Sequence, residues 1–65
     1  MTKYTLKAIR INNGKTQIEA AKDLGIRVET LANYEKGKSF PNIKTLMKIL
    51  EYYNISFDEI NFFWP

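Results

Sequence analysis

An all-α fold, a compact bundle of five short helices, is what this sequence predicts, and three observations predict it. Helix-start signals recur: Thr16 with Glu19 and Ser56 with Glu59 have the spacing of a capping box, and Asn42 stands just before an apolar-periodic segment. Helix-stop residues alternate with them, at Gly14, Gly25, Gly37 and Asn54. The 65 residues include no Cys and no His, so neither disulfides nor soft metal sites can staple the chain. Core packing must then hold the fold together, which favours helices joined by mostly local contacts.

The elements follow in order. Residues 5–12 read as a first helix with Leu6 and Ile9 inward, ended by Asn13-Gly14. Thr16 opens a second helix, Ala20, Ala21 and Leu24 supply its buried side, and Gly25 stops it. Ile26-Arg27 leads into a third helix that runs through Leu31 and Tyr34 to Gly37. Lys38-Ser39-Phe40-Pro41 is a basic loop. Asn42 caps a fourth helix whose apolar set is Ile43, Leu46, Met47, Leu50 and Tyr53, at i, i+3, i+4, i+7 and i+10. Ser56 and Glu59 frame a last short turn of helix, and no segment reads as a strand. Three aromatics crowd the final residues, Phe62, Phe63 and Trp64. Phe62 or Phe63 is expected to cover the core near Leu46, Leu50 and Tyr53, and Trp64 is available for dimerisation.

Length allows one domain over residues 1–65. No apolar run approaches the roughly 20 residues of a membrane span, and the N-terminus is too polar for a secretory signal, so a cytoplasmic, nucleoid-associated protein is expected. The charge is unevenly placed. Residues 1–48 hold all ten Lys and Arg against four acids, a net of +6, while residues 49–65 hold three acids and no cation, a net of −3. That split fits a basic face meeting phosphates, and it equally fits a basic face that is merely solvated. Catalysis lacks parts: there is no phosphate-binding Gly loop, no metal cluster and no nucleophile–base set. No catalytic residue, metal, cofactor, small-molecule ligand or membrane partner is expected.

The segment Thr16–Gly37, TQIEAAKDLGIRVETLANYEKG, carries the strongest signal. Two short helices joined by a tight Gly-containing turn make a helix-turn-helix. Small residues belong where such helices cross, and Ala20 and Ala21 are small. The segment resembles the Cro/repressor-type (XRE-like) family of phage and bacterial regulators. Thr16, Gln17, Ala21, Leu24, Gly25, Ile26, Thr30, Leu31, Tyr34, Glu35 and Gly37 match its pattern in register. Pro41 to Ile60 looks like the same family's fourth and fifth helices, so the likeness spans roughly residues 5–60. There are departures. Arg27 stands where the family usually places a Ser or Thr cap, Ala20 replaces a usual Leu, Lys15 a frequent apolar residue, and Ile18 a usual polar one.

The resemblance implies a lambda-repressor-like DNA-binding domain, a small repressor or Cro-like regulator acting on double-stranded DNA. Its helix at residues 28–36 would enter the major groove. Glu29, Asn33 and Lys36 share one face of that helix, opposite Leu31 and Glu35. Asn33 suits adenine, Glu29 a cytosine amino group, Val28 a thymine methyl, and Arg27 guanine or a phosphate, with Thr30 beside them as a further base contact. The plain alternative is a solvated helix face, which carries polar residues in any case. Gln17, in the first turn of the second helix, is implied to grip the DNA backbone, together with Thr16, Lys36, Lys38, Ser39 and, less directly, Lys15. Arg10 and Glu35 are implied to form a partly buried, structural salt bridge. One recognition helix makes few base contacts, so a homodimer on a pseudo-palindromic operator is expected. The rival reading is an antitoxin-like or anti-repressor module that uses the same fold to bind protein.

Overall fold

The computed structural model describes residues 4–62. Four α-helices follow one another through short connections: α1 (Leu6–Asn12), α2 (Gln17–Leu24), α3 (Val28–Lys36) and α4 (Ile43–Tyr53). A two-residue strand β1 (Tyr4–Thr5) precedes α1, and a 3-10 turn (Phe57–Glu59) leads into a second, β2 (Ile60–Asn61). The expected fifth helix is therefore only this 3-10 turn. Its Ser56 N–H does donate to the Glu59 carboxylate at 2.9 Å. At Ile60, however, the backbone leaves the helical region (φ −115°, ψ 138°) to pair in parallel with β1, Tyr4 opposite Ile60 and Thr5 opposite Asn61. Two-residue strands are too short to leave an alternating pattern in the sequence.

Local chemistry sets the helix ends. The Thr16 hydroxyl accepts from the Glu19 N–H at 3.1 Å, and the Glu19 carboxylate accepts from the Thr16 N–H at 2.9 Å. These bonds hold the Glu19 carboxyl below the usual carboxylate range. Asn42 caps α4 by accepting from the Thr45 N–H at 2.9 Å. Thr5 caps α1 in the same way, through the Ala8 N–H at 3.1 Å. Arg27 occupies the cap position of α3 and contributes no side-chain hydrogen bond. At the other end of α2, Gly25 takes φ +73°, its N–H bonds the Lys22 carbonyl and the Ile26 N–H bonds the Ala21 carbonyl. This pair of bonds is the Schellman stop, and a residue without Cβ adopts it free of strain. The same pairing closes α1, α3 and α4, with Asn54 at φ 54° serving α4.

The core gathers Leu6 and Ile9 from α1, Ala20, Ala21 and Leu24 from α2, Leu31 from α3, and Leu46, Ile49 and Tyr53 from α4. Ile60 and Phe62 close it from the C-terminal side, and Ile26 packs against it directly after the turn. One sequence expectation fails on α4. Ile43 and Met47 are 72% and 64% exposed, whereas Leu46 and Tyr53 are buried as expected and Ile49, outside the expected set, is buried with them. Ile43 with Met47 and Ile49 with Tyr53 both satisfy helical spacing, and the neighbouring helices decide between them. Phe62 is buried in the core with Leu46 and Tyr53, as expected, and its ring also meets Phe40 edge-on at 5.1 Å, by the loop after α3. Phe63 and Trp64, and with them the dimerisation expected of Trp64, lie outside the described residues.

The Tyr53 hydroxyl is buried without a hydrogen-bond partner. Burial first, and the nearby Glu35 carboxylate second, push this phenol up to about 12. The next residue toward the N-terminus, Tyr52, donates instead to the Asp23 carboxylate at 2.6 Å and so ties α4 to α2. Its phenol is also pushed up to about 12, by burial and by that bond. Two predictions follow from this pair. Tyr53→Phe removes an unsatisfied buried hydroxyl and should raise stability by up to about 1 kcal/mol in urea titration, whereas a loss above that size would mean the hydroxyl has a partner. Both phenols ionise more readily in the unfolded chain than in the folded one, so their contribution is complete below pH 10. It should fall as pH rises toward about 12, and urea midpoints across that window in Y53F should fall less than in the parent.

Candidate nucleic-acid interface

The side chains of α3 separate cleanly around its axis. Leu31 is fully buried, and the Glu35 carboxylate side chain is 3% exposed. Glu29, Asn33 and Lys36 are exposed, and at 100° per residue they share an arc of about 60°. Thr30 and Val28 flank the stripe and are half-buried, Val28 packing on the core. Arg27, just before the helix, is exposed, as are Lys38 and Ser39 after it. Among the described residues, no ion pair or side-chain hydrogen bond within the chain occupies Arg27, Glu29, Asn33 or Lys36.

What fixes the rotation of α3 is a network beneath this stripe. Arg10 Nε on α1 donates to Glu35 Oε2 at 2.7 Å, and Nη2 donates to Oε1 at 3.3 Å. Its remaining nitrogen, Nη1, donates to the Lys15 carbonyl at 2.7 Å and holds the loop that enters α2. Gln17 Nε2, in the first turn of α2, donates to Glu35 Oε1 at 3.0 Å. One carboxylate thus gathers donors from α1 and α2. Sequence reading placed Gln17 at the helix start and missed this bond, because nothing local relates residues 17 and 35.

Gln17 also borders a cleft of about 640 Å³, lined by Lys7, Arg10, Lys15, Thr16, Ile18 and Val28. Its lining sets three cations, Lys7, Arg10 and Lys15, beside the apolar side chains of Ile18 and Val28. Lys7 is the residue missed from the sequence. It lies one turn before Arg10 on α1, and that spacing was the available signal. Lys15 reaches Asp23 only at 3.9 Å, with both side chains well exposed, a contact worth little. Thr16 is exposed at the cleft edge, its hydroxyl engaged in the α2 cap. The predicted contact residues therefore fall into three groups: the α3 stripe with Arg27, the cleft at the start of α2, and the Lys38-Ser39 loop. No helix among the described residues is long and apolar enough to cross a membrane.

Comparison with known proteins places the chain among helix-turn-helix proteins. A family model described as helix-turn-helix matches residues 6–60. The transcriptional regulator ImmR of Bacillus subtilis is 43% identical over 53 residues, covering 82% of this chain and 42% of that protein. An uncharacterised HTH-type transcriptional regulator of Archaeoglobus fulgidus is 38% identical over 58 residues, 89% of this chain and 82% of its own length. The antitoxin HipB of Escherichia coli K12 is 37% identical over 51 residues, 78% of this chain and 58% of that protein. The chain thus spans about half the length of ImmR and HipB. No solved structure matches it.

The network makes a stability prediction. Glu35→Ala strands the Arg10 guanidinium, whose side chain is 9% exposed, at a cost of roughly 3–5 kcal/mol. Glu29→Ala removes a solvated carboxylate from the first turn of α3 and should cost less than about 1 kcal/mol. Thermal melts of the two variants should order accordingly, and the opposite order would refute a structural role for the pair.

Proposed function

This chain belongs to the Cro/repressor-type helix-turn-helix family, and from that membership we propose that it is a sequence-specific DNA-binding regulator, a small repressor, reading the major groove with α3. The observation that carries the reading is the exposed, unengaged stripe Glu29, Asn33 and Lys36 on a helix whose opposite side is locked into the core. A helix turned this way offers short polar side chains to base edges. Asn33 suits bidentate pairing with adenine and Glu29 a cytosine amino group. Arg27 stands at the groove entrance, and Val28 and Thr30 offer methyl contacts from the flank.

The backbone contacts follow from the cleft and the loop. The Gln17 amide carries two N–H bonds, and one is committed to Glu35. The second is left for a phosphate oxygen, with Thr16, Lys36, Lys38 and Ser39 supplying further contacts and charge. The Glu35 bond holds the amide in one orientation, so little side-chain freedom is lost when DNA binds. The longest extent of the molecule is 30 Å. Two copies side by side can therefore set their α3 helices about one DNA turn, roughly 34 Å, apart. We take the working form to be a homodimer on a pseudo-palindromic operator in the cytoplasm, repressing by occlusion of the promoter.

A second reading is favoured by one observation, the antitoxin name of HipB. In that reading the chain works through a protein partner as well as, or instead of, DNA. Salt dependence separates the two. A phosphate-driven complex should weaken steeply between about 50 and 200 mM salt, and a flat response on every duplex would reject the DNA reading. Two variants assign roles once a site has been selected from random duplexes. Asn33→Ala should cost about 1–3 kcal/mol on that site and relax one base position, while an unchanged profile would remove Asn33 from base reading. Gln17→Ala should weaken all sequences about equally, and loss confined to one sequence would contradict a backbone contact.

A further inference from the structure

We propose that the outer face of α4 is a self-association surface, on which a second copy of this chain packs its own α4 antiparallel about Met47. Sequence periodicity assigned Ile43 and Met47 to the core, yet they are 72% and 64% exposed. On the helix wheel Ile43, Met47, Glu51 and Lys44 fill an arc of about 100°, turned away from Leu46, Ile49 and Tyr53. Half-buried Leu50 borders the apolar edge of that arc. Two large apolar side chains one turn apart thus form a continuous exposed strip along one helix.

The charges around the strip identify its occupant. Lys44 lies three residues before Met47 and Glu51 four after. When two such helices cross antiparallel with Met47 against Met47, Lys44 of each copy stands opposite Glu51 of the other, so the ion pair forms twice. Two-fold symmetry demands a surface complementary to itself, and this one is. Among the described residues neither Lys44 nor Glu51 has an ion-pair partner within its own chain. DNA fits the strip poorly, because its phosphates gain nothing from Ile43 and Met47, and Glu51 offsets the attraction of Lys44 within the same arc. The helix has 11 residues, about 16 Å of length, so one helix pair covers less than the roughly 1,200 Å² of a stable interface. The dimer is accordingly weak in solution. Where the DNA reading holds, two half-sites raise the local concentration enough to engage it.

Sedimentation equilibrium of the full chain without DNA tests this surface independently of that reading. The parent chain should show a monomer–dimer equilibrium between about 10 μM and 1 mM. Met47→Asp should abolish it. K44E and E51K should each weaken association at least about tenfold, by setting like charges opposite one another twice. The double variant K44E/E51K restores opposite charges and should return to within about threefold of the parent. All three positions are exposed, and circular dichroism checks that each variant folds. A parent chain that stays monomeric overturns the proposal, as does a dimer indifferent to Met47→Asp or a double variant no better than either single one. Loss of binding to a single half-site by Met47→Asp would also overturn it, by placing this face on the duplex.

Discussion

A carboxylate taken out of water must find donors, and Glu35 finds them on two other helices. Its oxygens accept from Arg10 on α1 and from Gln17 on α2, while the carboxylate itself rides on α3. An ion pair this buried adds little net stability compared with an apolar substitute. What it supplies is direction. With Glu35 aimed at α1 and α2, and Leu31 fully buried four residues earlier, α3 has no freedom to turn about its axis. At 100° per residue, the positions of Glu29, Asn33 and Lys36 are then determined. The outward stripe follows from the inward carboxylate.

The turn between α2 and α3 completes that constraint. The Schellman bonds at Gly25 end α2 within one residue, and Ile26 enters the core side at once. Ala20 and Ala21 are essentially inaccessible where α2 is enclosed by its neighbours, and larger side chains there would push the helices apart. The start of α3 lacks the support that α2 and α4 have, because Arg27 offers no oxygen to the free N–H groups. A missing cap of this kind costs about 1 kcal/mol. Half-buried Val28, packed on the core, holds that end by apolar contact instead. The departure from the family pattern therefore trades a local hydrogen bond for a long cation at the edge of the proposed interface.

How much of this was legible in the sequence depended on range. The Thr16–Glu19 box, the Asn42 cap and the Gly25 stop act within a few residues of chain, and their residue types name them directly. The helix-turn-helix and its exposed stripe follow from those boundaries. Relations across the chain were hidden. The β1–β2 pairing joins Tyr4 to Ile60, and the Gln17–Glu35 bond spans two helices; neither leaves a periodic trace. Helix α4 shows a third kind of failure. Its apolar residues are so numerous that two different faces satisfy helical spacing, and only the positions of α2 and the C-terminal segment choose Leu46, Ile49 and Tyr53.

That surplus of apolar residues on α4 is a consequence of size. A 65-residue chain buries only about 60% of the surface its unfolded form exposes, so some large apolar side chains must remain outside. Scattered singly they signify nothing. Ile11 on α1 and Ile18 on α2 are exposed in this way, on separate helices. Ile43 and Met47 differ in arrangement. They are consecutive along one helix, and opposite charges stand at nearly equal spacing on either side of Met47. An overfull helix in a small domain is a burden while the chain is alone. Set against its own copy, the same excess becomes contact area, and the charges beside it become the pairs that fix its register.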